Sequence, residues 1–179
     1  WPGALAPLIA SWLCVEPRPL LIILPQLAEA EALAAEVGEL QPLEADVFPP
    51  GSEETELESL AHQETAQRLH VLSRLYKYAE AGSKRAADRI SPPIVVTTLP
   101  ALMHSVPSPA SLEGDKHVLQ AGRRVDVEAL RRWLVEAGYH ATSSVQLPGE
   151  FATRGGILDI FPPDEALPVR VELFDDEVE

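Results

Sequence analysis

Two short apolar runs, each fenced by proline, constrain this chain more than any other feature. "RPLLIILP" covers residues 18–25 and "PPIVVTTLP" covers residues 92–100. An uninterrupted apolar run of this length reads as a strand buried on both faces, as in a parallel sheet covered by helices. Each run leads into helix-forming sequence. After the first comes "LAEAEALAAEVGEL", with Leu27, Ala30, Ala34 and Val37 near helical spacing. After the second a short helix is expected, with Thr98 as its cap and Pro100 in its first turn.

Between these units "EADVFPPG" reads as a third strand ending in a Pro-Pro-Gly loop. An acidic loop follows (Glu53, Glu54, Glu56, Glu58), and a long helix is expected from Ser59 to Ala79 with Leu69, Leu72, Leu75 and Ala79 on one side. Residues 82–93 read as a polar connection. The opening "WPGALAPLIASWLCVEPRP" reads as a helix leading into the first strand. Strand and helix alternate to about residue 118, the pattern of a doubly wound α/β domain.

The character then changes. "KHVLQAGRRVDVEALRRWLVEAGYH" implies a short strand and a helix capped by Asp126, with Val127, Leu130, Leu134 and Ala137 inward. Short strands and turns follow, as in a small α+β module with antiparallel strands. The expected division is residues 1–118 and 119–179.

A nucleotide-binding reading of the α/β half lacks its parts. A P-loop needs glycine amides around the phosphates, a lysine and a Ser/Thr for magnesium. Gly3 lies in the right place, but no Gly-Lys-Ser/Thr follows and no G-x-G-x-x-G follows any strand. A degenerate RecA/Rossmann-like parallel-sheet domain without a P-loop is expected, and neither catalysis nor a cofactor is expected of it. The five histidines are scattered, His62 and His70 standing eight apart, so no metal site is expected. The acidic run lacks the ligand spacing of a calcium loop. The one cysteine, Cys14, excludes an internal disulfide and reads as a small buried hydrophobe.

Charge narrows the partners. The formal net charge is −14, and such a surface repels phosphate backbones, so direct nucleic-acid binding is not expected. No run approaches the roughly 18–20 apolar residues of a membrane span, and the N-terminal stretch lacks the basic leader of a secretory signal. A cytoplasmic protein is expected.

That leaves "GEFATRGGILDIFPPDEALPVRVELFDDEVE" at residues 149–179. Alternation in "PVRVELF" puts Val169, Val171 and Leu173 on one face, and Arg170, Glu172 and Phe174 on the other. The first is the core face. Phe174 beside Arg170 on the polar face is either an interface pair or an aromatic covering a secondary core or an edge. In the preceding run Glu150, Ala152 and Arg154 share a face. The phase breaks at Gly155-Gly156, a turn or a bulge, so the side that Arg154 takes stays open.

The same stretch closely resembles the segment shared by the bacterial repair protein UvrB and the transcription-repair coupling factors. "ADVFPPGSEETELESLAHQETAQRLHVLSRL" and "IVVTTLPALMHSVPSP" resemble, in order, the pieces that precede it in the coupling factors. The missing P-loop, and the direct passage from Phe48-Pro49-Pro50 into the acidic loop without a tyrosine-rich hairpin, resemble the coupling factors' N-terminal UvrB-homology module rather than UvrB. A fragment of a UvrB-type ATP-dependent helicase is the alternative. The resemblance implies a noncatalytic module that recruits UvrA through Arg154, Arg170 and Phe174 in nucleotide excision repair, and that helps autoinhibit the motor against a C-terminal domain. In the full-length family protein, an ATP-dependent DNA translocase, RNA polymerase and DNA are further partners. It also implies that the second sheet continues past Glu179, so the last strand is expected to lie exposed or to pair with a neighbouring molecule.

Overall fold

The computed structural model describes residues 2–40, 44–51, 63–80, 91–114, 116–165 and 167–179. The acidic run of Glu53 to Glu58, the helix start at Ser59, His62 and residues 82–90 of the polar connection lie outside the described residues. The chain divides into two compact units, Trp1–Gly51 with Val71–Val106 and Ser52–His70 with Pro107–Glu179.

The first unit contains helix α1 (Pro2–Val15), strand β1 (Leu20–Leu24), helix α2 (Leu27–Gly38), strand β2 (Ala45–Phe48), the part of helix α3 (Gln63–Glu80) from Val71 onward, strand β3 (Ile94–Thr98) and helix α4 (Leu99–Met103). The strands form a parallel sheet in the order β1-β3-β2, with Ile22 opposite Val96 and Val47 opposite Val96. Ala6, Ile9 and Leu13 of α1 recur at helical spacing. They pack with Ala30, Leu33, Ala34 and Val37 of α2 against Val47, Ile94 and Val96 of the sheet. Arg74 of α3 pairs with Asp46 of β2 at 2.5 Å, and the Thr97 hydroxyl donates to the Phe48 carbonyl at 2.7 Å.

The α/β reading holds, with three local corrections. Burial on both faces is realised only in β3, all five residues of which are buried. Strand β1 lies at the sheet edge, and Leu21 and Ile23 remain 54% and 50% exposed. Thr98 occupies the cap position of α4 without a side-chain cap hydrogen bond. Cys14 is exposed rather than buried, because the buried side of α1 is the line of Ala6, Ile9 and Leu13 and Cys14 lies off it.

The second unit contains helix α5 (Pro109–Gly114), helix α6 (Val127–Glu136) and strands β4 (His140–Ala141), β5 (Glu150–Arg154), β6 (Ile157–Ile160), β7 (Val169–Phe174) and β8 (Glu177–Val178). They form one sheet in the order β4-β5-β6-β7-β8. All neighbours are antiparallel except β4 and β5, which pair in parallel. Leu130 and Leu134 of α6 lie on a core of Phe151, Leu158, Ile160, Val171 and Val178, with Leu173 partly buried beside it. The Asp126 carboxylate accepts from the Ala129 amide at 2.9 Å and caps α6 as its sequence position suggests.

Two expectations for this unit do not hold. Residues 116–120 form no strand. The last strand is not open: the Val178 carbonyl accepts from the Gly122 amide and the Val178 amide donates to the Arg123 carbonyl, while Glu177 pairs with Phe174 of β7. Gly122, at φ +77°, turns the chain so that residues 122–124 run beside β8.

Gly155-Gly156 forms a tight two-residue turn, not a bulge, since Arg154 pairs directly with Ile157. Gly155 has φ +61°, a conformation that glycine adopts freely. At Gly156 a Cβ would stand 2.5 Å from the Leu173 carbonyl oxygen, and the Gly156 carbonyl accepts from the Leu173 amide at 2.7 Å. Gly156→Ala is therefore expected to destabilise the protein by about 1–3 kcal/mol through overpacking against β7. Asp126→Ala should cost about 1 kcal/mol through loss of the cap. Denaturant midpoints at unchanged m-value check both.

Candidate partner-binding face of the second sheet

Because α6 covers one face of the second sheet, the alternate residues define an outer face. Register settles what it carries. Ala152 on β5 lies opposite Asp159 on β6, and Asp159 lies opposite Arg170 on β7. In the next row Arg154 faces Ile157, which faces Glu172. Phe174 continues this side of β7 one step further along the strand. Arg154, whose side the sequence leaves undecided, thus shares the outer face with Arg170 and Phe174. The tight turn preserves the alternation from β5 into β6.

The two arginines meet in one cleft. It has a volume of about 600 Å³ and is lined by Ala152, Arg154, Ile157, Asp159, Val169 and Arg170, with Pro168 and residues 143–145 at its border. The 143–147 segment is held by Glu150, whose Oε2 accepts from the Gln146 and Leu147 amides at 2.8 and 2.9 Å. Arg154 reaches this segment, donating from Nη2 to the Ser143 carbonyl at 3.3 Å. Val169, expected on the core face, is 46% exposed at the start of β7 and borders the cleft. Phe174 does not line it. It stands at the opposite end of β7 and is 71% exposed.

Arg170 is held by a bidentate ion pair. Its Nε donates to Asp159 Oδ1 at 2.7 Å and its Nη2 to Asp159 Oδ2 at 2.9 Å, the fork geometry that makes arginine–carboxylate pairs specific. These hydrogen bonds hold the Asp159 carboxyl below the usual carboxylate range. Partial burial opposes them, and the charges of Arg170 and then Arg154 add to them. The same pair pushes Arg170 further up.

Asp159 and Glu150 are the participants that motif reading misses. The signal for Asp159 was present: a lone carboxylate in the apolar run "ILDIF", on the polar phase of its strand. Glu150 gives no such signal, since its role depends on how residues 143–147 fold back. Among the described residues no group of three or more His, Cys, Asp or Glu side chains could hold a metal ion, and no helix is long and apolar enough to cross a membrane. The ring nitrogen Nδ1 of His70 lies 3.1 Å from the Asp164 carbonyl oxygen.

Because the folded-state pKa of Asp159 is lowered, the pair contributes fully above the unfolded carboxylate pKa of about 4 and is lost as pH falls through the lower folded value. Unfolding measured from pH 7 down to pH 2 should show this acid-side component in the wild type. It should be absent from Asp159→Asn.

Residues 118–179 match the UvrB interaction domain family. The chain is 32% identical over 164 residues to the transcription-repair-coupling factor of Bacillus subtilis, which covers 90% of this chain and 13% of that protein. It is 38% identical over 86 residues to the transcription-repair-coupling factor of Escherichia coli, covering 48% of this chain and 8% of the relative. It is also 29% identical over 184 residues to the UvrABC system protein B of Thermus thermophilus, covering 90% of this chain and 25% of the relative. The chain thus spans a quarter or less of the length of each of these relatives.

Proposed function

We propose, from the premise that residues 118–179 are a UvrB interaction domain in a chain of the transcription-repair-coupling-factor kind, that this module binds UvrA through the outer face of its second sheet. Arg154, Arg170 and Phe174 carry the contact. The observation that supports this most directly is their common face: two arginines line one cleft, and a largely exposed aromatic continues the same side of β7. Arginine and aromatic side chains dominate interface hot spots. In a chain of net charge −14, two arginines that line one cleft offer a partner two guanidinium groups at one place.

In this reading the module is noncatalytic and cytoplasmic and recruits UvrA in transcription-coupled nucleotide excision repair. RNA polymerase, DNA and ATP-driven translocation belong to other parts of the longer relatives. In this reading its boundary with the first domain lies near residue 118; the start of the family match there supports it. The same outer face serves as an autoinhibitory contact when a C-terminal domain covers it, so that recruitment and masking exclude each other.

Titration of UvrA into the chain tests the proposal. Arg154→Ala, Arg170→Ala and Phe174→Ala are each expected to weaken binding by about 2 kcal/mol, roughly thirtyfold, with the fold intact. Unchanged affinity in the Arg170 and Phe174 variants would refute the assignment. Similarity to the UvrABC system protein B keeps a second reading in view, a piece of a UvrB-type ATPase. The sequence lacks the Gly-Lys-Ser/Thr phosphate cradle that this requires. No saturable ATP binding in the micromolar range is expected, and a micromolar affinity would favour the second reading.

A further inference from the structure

The partner face contains a charged group that the proposed contact does not use. Asp159 sits between the two arginines, opposite Ala152 on one side and Arg170 on the other. Its carboxylate grips the Nε and Nη2 side of Arg170, whose side chain is nevertheless 61% exposed. A guanidinium has five N–H donors in a planar fork. Asp159 takes two of them, and among the described residues nothing else bonds the edge made by Nη1 and the second Nη2 proton. A free arginine on a strand would sample many rotamers and lose that freedom on binding. This one is already fixed at both hydrogen-bonded nitrogens.

We propose that Asp159 is the positioning residue of this face: it pins Arg170 so that the remaining guanidinium edge meets a carboxylate of the partner. The inference rests on the reading of Arg170 as a contact residue and adds a role for a side chain outside that contact. A carboxylate is the partner chemistry because the free edge offers two parallel N–H donors with full charge. Asp159 acts through Arg170 and does not itself touch the partner.

A double-mutant cycle on the full chain, read by UvrA titration at one fixed salt concentration, tests this. The four proteins are the wild type, Asp159→Ala, Arg170→Ala and the double variant. Asp159→Ala is expected to weaken binding about tenfold, while the double variant binds no more weakly than Arg170→Ala within about twofold. The Arg170 Nε–H resonance should be sharp and protected in the wild type and exchange-broadened in Asp159→Ala. Should Asp159→Ala not fold, Asp159→Asn carries the same arms.

Three outcomes overturn the inference while leaving the partner face standing. Asp159→Ala could bind like the wild type although Arg170→Ala is weakened, which makes the ion pair purely structural. It could bind more tightly, which makes Asp159 a mask. The double variant could fall a further tenfold below Arg170→Ala, which makes Asp159 a contact. If Arg170→Ala alone binds like the wild type, the partner-face reading of Arg170 fails and this inference fails with it.

Discussion

The closure of the Gly155-Gly156 turn onto the backbone of Leu173 is the constraint on which the rest of the second unit depends. The Gly156 carbonyl accepts from the Leu173 amide, and a Cβ on Gly156 would collide with the Leu173 carbonyl oxygen. That contact locks β7 against β6 in the register that puts Leu158 opposite Val171 and Asp159 opposite Arg170. A one-residue slip would send every side chain of β7 to the other face, burying arginine under α6 and exposing valine. The apolar cluster under α6 and the charged face opposite are thus two consequences of one register.

The outer face adds little to stability. An arginine–carboxylate pair at the surface is screened by solvent and contributes little, and a phenylalanine left 71% exposed gains little from burial. What the arrangement supplies is order: Arg170 is held by a two-point contact, Arg154 is tied to the Ser143 carbonyl, and the 143–147 segment is tied to Glu150. A binding surface whose long side chains are already fixed loses less entropy on association.

Much of this was legible beforehand, and the failures have identifiable causes. The Asp126 cap, the apolar sides of α2 and α6 and the core phase of Val171 follow from local rules that tertiary contacts did not override, whereas in α3 Ala66, Val71 and Leu72 are buried and Ala79, expected on the apolar side, is exposed. Thr98 failed as a side-chain cap although its type and position were right. Composition alone makes Cys14 a small buried hydrophobe, but its exposure depends on which side of α1 meets α2. The two proline-fenced runs look alike in sequence, yet β3 is central and fully buried while β1 is an edge strand with Leu21 and Ile23 half in solvent. Strand order is a property of the assembled sheet, and no periodicity within a run encodes it.

By itself the amino-acid sequence determined that an α/β domain without a phosphate cradle precedes a small sheet domain, and that Arg170 and Phe174 share the polar phase of one strand. Period-2 alternation and missing motif residues are local facts, available without a fold. Only the tertiary structure decided where Arg154 points, that it meets Arg170 in one cleft while Phe174 stands apart, and that Asp159 grips Arg170. Those depend on whether Gly155-Gly156 turns or bulges and on which residues of neighbouring strands fall opposite one another. Cross-strand hydrogen bonding settles that register, and it joins residues that no spacing along the chain places together.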